Sequence, residues 1–179
     1  MKILGLTSDY IRHDSSLCLV DNGKVLYACS EERFSRLKND PRAPLGSLED
    51  VLDRYDLTLD DIDAVAVGMP PFHFIKGIFD SRWKYLIQAL FPVVWKNPLQ
   101  FLSYTDDRFS DANNKRFGFE WLPREKVKYV SHYLAHGASA YRTSGFNEAL
   151  CVTLDAAGAD EYGYPFSGSV FICKNGEMH

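Results

Sequence analysis

Two histidines and a later aspartate are the side chains of this chain best suited to metal chemistry. His132 and His136 are four residues apart, so on a helix they would lie one above the other on the same face. Asp155 follows an apolar stretch that is typical of a strand, which would place its carboxylate at a strand end. Two imidazoles and a carboxylate suit iron, zinc or manganese. The alternative is that the histidines satisfy buried hydrogen bonds and the aspartate caps a turn.

Two familiar hydrolytic sites are not indicated. Tyr133 occupies the place that glutamate holds in His-Glu-x-x-His, so the pattern carries no built-in general base and does not predict a metalloprotease. A Gly-x-Ser-x-Gly elbow is absent from the sequence, and Ser167 and Ser169 flank a glycine at the start of a predicted strand.

Composition narrows the class of protein further. The 179 residues, 46% of them hydrophobic, are enough for one to one and a half domains. A net charge of -4 argues against a nucleic-acid binder. The four scattered cysteines, without a Cys-x-x-Cys pair, predict buried reduced thiols in a cytoplasmic protein.

The pattern of apolar and turn residues predicts an α/β fold. Strands are expected at 2–7, 16–20 and 24–30, with Asp21-Asn22-Gly23 as a hairpin turn. A helix is expected at 46–56 with Ser47 as its N-cap and Asp50 at the box position. Further elements are expected in the order strand 62–67, covered on both faces, strand 126–130, helix 132–141, strand 149–154, buried in the same way, and a hairpin strand at 168–173.

The segment 70–123 differs in composition from the rest. It holds all three tryptophans and many phenylalanines, and 83–94 could form an apolar helix. Charged and proline residues interrupt that helix well short of the roughly 20 residues of a membrane span. We expect an aromatic-rich helical insert that packs its own small core and is dispensable for the rest of the fold; a lid or partner surface is the alternative.

Several stretches, taken in order, resemble the carbamoyltransferases that act in nodulation-factor and antibiotic biosynthesis. They comprise Lys2-Ile3-Leu4-Gly5-Leu6, His13–Val20, Glu31–Lys38, and His132–Ala140 with Leu154-Asp155. The family is similar in fold to actin-like ATPases (ribonuclease H-like) and to tRNA threonylcarbamoyl-transferring proteins. The resemblance implies two related lobes, each a mixed sheet with flanking helices: 1–147 as the first, with the insert at 70–123, and 148–179 as the opening hairpin of a second.

The resemblance also implies the chemistry. ATP and carbamoyl phosphate would give a carbamoyl-adenylate, and the carbamoyl group would pass to the hydroxyl of a small molecule. His132, His136 and Asp155 would hold the divalent metal. The polar turn after the first strand would face phosphate, with His13 and Lys38 as catalytic groups. The expected phosphate contacts are Ser15, Ser16, Arg36 and Gly158, the last in a loop after the metal-binding aspartate.

The chain departs from the family pattern at a few positions. Tyr133 and Ser131 stand where the family usually has a histidine and an acidic residue, and Asn39 where a histidine often follows the lysine. Family members are also much longer, so we expect a fragment whose partner is the missing C-terminal region and which alone does not turn over carbamoyl phosphate. A non-catalytic lobe that binds metal or a partner, and a threonylcarbamoyl-transferase relative, are the alternatives.

Overall fold

The computed structural model describes residues 1–9, 13–40, 42–68, 118–159 and 165–179. Most of the predicted insert at 70–123 therefore lies outside the described residues, and its prediction is untested. Contacts divide the chain into two units. Of the described residues, those within 1–68 and 118–129 form the first unit, and those within 130–179 form the second.

A five-stranded mixed sheet forms the first unit. Its order is β3-β2-β1-β4-β5; β1, β2 and β3 are antiparallel neighbours, β4 runs parallel to β1, and β5 runs parallel to β4. The strands are β1 Lys2–Asp9, β2 His13–Asp21, β3 Lys24–Ser30, β4 Ala64–Val67 and β5 Val127–Tyr129. The predicted three-strand meander and the two later strands are present, so the mixed α/β prediction is confirmed, whereas the actin-like assignment stays a prediction.

The hairpin turn and the apolar side chains explain this sheet. Asn22 and Gly23 both have positive φ, 49° and 81°, as a tight two-residue hairpin requires. The side chains that point to the buried face of the three central strands are fully or almost fully buried: Leu4, Leu6, Leu17, Leu19, Val65 and Val67.

Three α-helices and two short 3-10 turns are described. They are α1 Glu32–Ser35, α2 Leu45–Tyr55, α3 His132–Ser144, and the turns Leu59–Asp61 and Arg124–Lys126. Among the described residues, none of these helices is long and apolar enough to cross a bilayer.

The predicted N-cap of α2 is wrong. Pro44 is the N-cap, and Ser47 is buried inside the first turn. Glu31, 15 residues upstream of Gly46, performs the capping instead: its Oε1 accepts from the Gly46 N–H at 2.9 Å and its Oε2 from the Ser47 N–H at 3.0 Å. A buried carboxylate at a helix N-terminus satisfies two backbone donors and the positive end of the dipole together. Asp50 pairs with Arg54 one turn later.

The second unit is an antiparallel sheet of order β6-β7-β8 with α3 packed on one face. The strands are β6 Glu148–Ala159, β7 Pro165–Lys174 and β8 Glu177–Met178. Gly137 allows this packing, because a Cβ there would lie 3.0 Å from the Phe171 ring. Helix α3 thus belongs with the second sheet, whereas the sequence prediction places it in a first lobe ending at 147; the lobe boundary stays a prediction.

The prediction that 149–154 is buried on both faces is wrong. Cys151 and Thr153 are buried, but the alternate side chains of β6 and their neighbours on β7 are 54 to 84% exposed. These exposed residues are Leu150, Val152, Leu154, Val170 and Ile172. A continuous apolar run does not tell whether one face of a strand is covered or two.

Candidate metal centre

Helix α3 presents its two histidines beside the sheet. Tyr133, Gly137 and Tyr141 are buried and, at a spacing of four residues, share one helix face. Gly137 and Tyr141 on this face pack on the second sheet. His132 and His136 form the adjacent stripe. Ser131 is the N-cap, and its Oγ accepts from a backbone N–H of the first turn at 3.5 Å. The helix therefore starts at the first of the two candidate ligands.

Asp155 meets both histidines. Its Oδ2 lies 3.1 Å from His132 Nε2 and 3.6 Å from His136 Nε2, and the two Nε2 atoms are 3.0 Å apart. The three side chains predicted from the sequence thus converge through one atom each. Among the described residues this is the only group of three such side chains close enough to share an ion.

No choice of tautomers for two neutral imidazoles makes hydrogen bonds of both short contacts, at 3.0 and 3.1 Å, because both involve His132 Nε2. If His132 Nε2 carries the proton, it donates to Asp155 and cannot accept from His136. If His132 Nε2 is bare, it accepts from His136 but then faces the carboxylate oxygen with lone pair against lone pair. A cation between the three atoms would satisfy all of them, because each would then direct a lone pair at it.

The separations also fit the size of a metal site. Two ligand atoms each about 2.1 Å from a tetrahedral ion lie about 3.4 Å apart. The observed separations of 3.0, 3.1 and 3.6 Å bracket that value. The side chains of His132, His136 and Asp155 are 15, 53 and 41% exposed, so one side of the group is open to solvent.

Tyr133 lies directly beside this group. Its ring is fully buried and stands edge-on to the His132 ring, with centroids 5.3 Å apart at 87°. Burial, and after it the charge of Asp155, raises the pKa of Tyr133 to about 12. The phenol is therefore neutral at physiological pH. The sequence prediction treats this residue as a departure from the family pattern and as the absence of a glutamate general base, and gives it no role beside the histidines.

The predicted phosphate contacts of the first unit have a different setting from the one expected. Ser15 and Ser16 lie in β2 and not in a turn. The Ser15 N–H donates to the Asp40 carbonyl at 2.9 Å and is therefore not available to an anion. Ser15 Oγ is buried and finds no hydrogen-bond partner among the described residues. The backbone of His13 also lies in β2, but its side chain lies outside the described residues.

The three basic side chains Arg36, Lys38 and Arg42 differ in whether they form an ion pair. Arg42 binds the buried carboxylate of Asp40 through Nε at 2.9 Å and Nη2 at 2.6 Å, and this pair holds the pKa of Asp40 well below its usual range. Arg36 and Lys38 are exposed and form no ion pair with any residue of the described part of the chain. Arg36 adopts a left-handed conformation, φ 59°, as the C-cap of α1.

Gly158 does not lie in a loop. Strand β6 continues to Ala159, and Gly158 pairs with Phe166 after a register shift that begins at Leu154. The expected loop position is therefore wrong. The sequence prediction also misses the capping role of Glu31, because a cap supplied from 15 residues away leaves no local signal.

Comparison with known proteins agrees with the resemblance. Residues 2–168 match the family model described as "Carbamoyltransferase N-terminus". The nodulation protein NolNO of Sinorhizobium fredii is 30% identical over 146 residues, which cover 82% of this chain and 20% of that protein. An uncharacterized protein of Synechocystis is 25% identical over 158 residues, 87% of this chain and 25% of that protein. The chain thus spans a fifth to a quarter of the length of these relatives.

Two solved structures are similar at lower levels. YeaZ from Pseudomonas aeruginosa matches with a TM-score of 0.46 and 16% identity, over 99% of this chain and 63% of that one. A protein described as similar to peptidase YEAZ, from the same organism, matches with a TM-score of 0.45 and 18% identity, over 99% of this chain and 62% of that one.

Because the family model matches residues 2–168, nearly all of this chain, the chain belongs to the carbamoyltransferase family, in the N-terminal region that this model describes.

Proposed function

We propose that this chain is the N-terminal part of a metal- and ATP-dependent carbamoyltransferase. In this proposal carbamoyl phosphate, water and ATP give a carbamoyl-adenylate with release of phosphate and pyrophosphate. The carbamoyl group is then transferred to a hydroxyl of a small molecule with release of AMP. Family membership supports the transferase class. The actin-like arrangement of two lobes belongs to the same proposal.

One observation carries the metal part of the proposal. The Nε2 atoms of His132 and His136 and an oxygen of Asp155 converge in a triangle that hydrogen bonding between neutral imidazoles cannot satisfy. These three residues would hold a divalent ion, for which iron, zinc and manganese are all suited. When bound, such an ion supplies Lewis-acid polarisation of phosphate oxygens. The exposed side of the group leaves room for substrate oxygens.

The chain's other polar groups have narrower roles in the proposal. Arg36 and Lys38 are exposed cations that would attract a phosphate group, since an arginine fork and a lysine ammonium both bind phosphate oxygens. His13 would act as a proton donor near neutral pH. Ser15 Oγ is buried and would reach a ligand only after a local opening of the chain. Ser16 is half-buried and is therefore the better candidate for a phosphate contact.

Binding of carbamoyl phosphate near a paramagnetic ion tests the proposal on the chain itself. With Mn²⁺ in the site, the ³¹P relaxation of carbamoyl phosphate should be much faster with the parent chain than with the His132→Ala/His136→Ala double variant. His179→Ala is the matched control, because His179 is an exposed histidine outside the group.

Each outcome of that experiment has a definite meaning. Equal relaxation in the parent and the double variant would contradict the proposed site. Mn²⁺ uptake without any effect on carbamoyl phosphate would favour a lobe that binds metal and performs no chemistry. For a longer gene product that contains this segment, the proposal predicts AMP release that depends on both carbamoyl phosphate and an acceptor hydroxyl.

A further inference from the structure

The side chain of Tyr133 is buried directly beside the candidate ligands. Tyr133 is the second residue of α3, and its side chain is 0% exposed. The carbonyl of Gly137, one turn later on the same helix face, accepts a weak hydrogen bond from Cys151 Sγ on β6 at 3.7 Å. Asp155 lies four residues beyond Cys151 on that strand. The tyrosine ring is therefore buried at the end of the helix where the candidate ligands lie, close enough to Asp155 to feel its charge.

The ring contacts the two histidines unequally. It stands edge-on to His132 at 5.3 Å between centroids, and its centroid is 6.5 Å from that of His136 with a tilt of 50°. The side chain of His132 is also much less exposed than that of His136, 15 against 53%. An edge-to-face contact restrains rotation of an imidazole about its last side-chain bond. That rotation decides where Nε2 points.

We infer that Tyr133 is a positioning residue of the metal centre: its buried ring holds the His132 imidazole with Nε2 directed at Asp155. The inference rests on the proposed metal site. His132 would be the preorganised ligand, and His136, which is more exposed, would adjust to the ion. The buried ring, and not the hydroxyl, performs this function. Partners that orient ligating histidines through hydrogen bonds change metal affinity by about 10- to 100-fold when they are replaced, and for this packing contact we expect a loss at the lower end of that range.

Three variants at position 133 and one control test the inference. Tyr133→Phe keeps the ring, and Tyr133→Leu removes it; Tyr133→Met, a flexible side chain that fills irregular space, replaces the leucine variant if that variant does not fold. The control is Tyr141→Leu, on the same buried helix face about two turns after Tyr133. Co²⁺ affinity and visible absorption, the unfolding midpoint, and ¹⁵N–¹H spectra of the metal-free imidazoles are measured for each chain.

We expect Tyr133→Phe to bind Co²⁺ within about twofold of the parent and Tyr133→Leu to bind it at least about tenfold more weakly, with a changed absorption spectrum. Tyr141→Leu should lower the unfolding midpoint and leave Co²⁺ affinity unchanged. A tenfold loss in Tyr133→Phe, parent-like binding by Tyr133→Leu, or equal losses in Tyr133→Leu and Tyr141→Leu would overturn the inference.

The metal-free spectra separate this inference from the proposed function. If the parent chain binds no Co²⁺, the metal centre is wrong, and the spectra still decide whether Tyr133 orients the ring. In that case the His132 resonances should move or broaden in Tyr133→Leu, while those of His179 stay in place. Unchanged His132 resonances would overturn the positioning role.

Discussion

Replacing Glu31 by alanine should lower the free energy of unfolding of the full chain by about 2–4 kcal/mol. The side chain is 6% exposed, and its two oxygens accept from the Gly46 and Ser47 N–H groups at 2.9 and 3.0 Å. Each backbone N–H left without its charged partner should cost about 1–2 kcal/mol. The cost should be at the lower end for Gly46, which is only half-buried and can bind water instead, and at the upper end for the buried Ser47. The two losses together give the expected range. Glu31→Gln should cost about half as much, because one of its two acceptors becomes a donor.

Urea unfolding followed by circular dichroism measures these changes. Glu49→Ala is the matched control, because Glu49 is an exposed carboxylate on the same helix. We expect it to change the unfolding free energy by less than about 0.5 kcal/mol. A Glu31→Ala value within that margin of the Glu49→Ala value would refute the view that Glu31 stabilises α2.

Three further outcomes are expected. Asp40→Asn should lower the free energy of unfolding by about 1–3 kcal/mol at pH 7. Because Arg42 lowers the pKa of the folded carboxylate, this stabilisation is complete above the unfolded pKa of about 3.9 and is lost as the pH falls toward the folded pKa. The stabilities of the parent chain and the variant should therefore converge in acid. Gly137→Val should cost about 1–3 kcal/mol against an exposed Ser139→Val control, since its Cβ would meet the Phe171 ring at 3.0 Å, and equal thermal midpoints would refute the close packing. Metal affinity should decrease as the pH falls below neutral, because protonated imidazole cannot bind an ion; affinity independent of pH in a calorimetric titration would exclude histidine ligands.

Local signals predicted the first sheet well. The turn at Asp21-Asn22-Gly23 and the apolar alternation around it specify a hairpin through backbone conformation and burial, both of which are read within a few residues. The cap of α2 could not be predicted in the same way. Ser47 carries the usual N-cap side chain, but the chain brings the Glu31 carboxylate to this helix end from a distant position. Helix caps supplied by tertiary structure leave no trace in local spacing.

The candidate site was predictable to a different extent. The spacing of His132 and His136 predicts that they share a helix face, and the apolar run before Asp155 predicts a strand end nearby. That the helix packs on this strand at the matching height depends on Gly137, which the pattern alone does not single out. The position of Tyr133 against His132 was not predictable, because neighbouring residues on a helix ordinarily point in different directions.

The most direct measurement is an anomalous difference map from crystals of the chain grown with Zn²⁺, recorded on both sides of the zinc edge. We expect one peak, bound by Nε2 of His132, Nε2 of His136 and an oxygen of Asp155, each at about 2.0–2.2 Å. The same peak should be absent from crystals of the His132→Ala variant. A zinc peak that lies elsewhere, or a fully ordered His132–His136–Asp155 group without a peak at saturating Zn²⁺, would contradict the account.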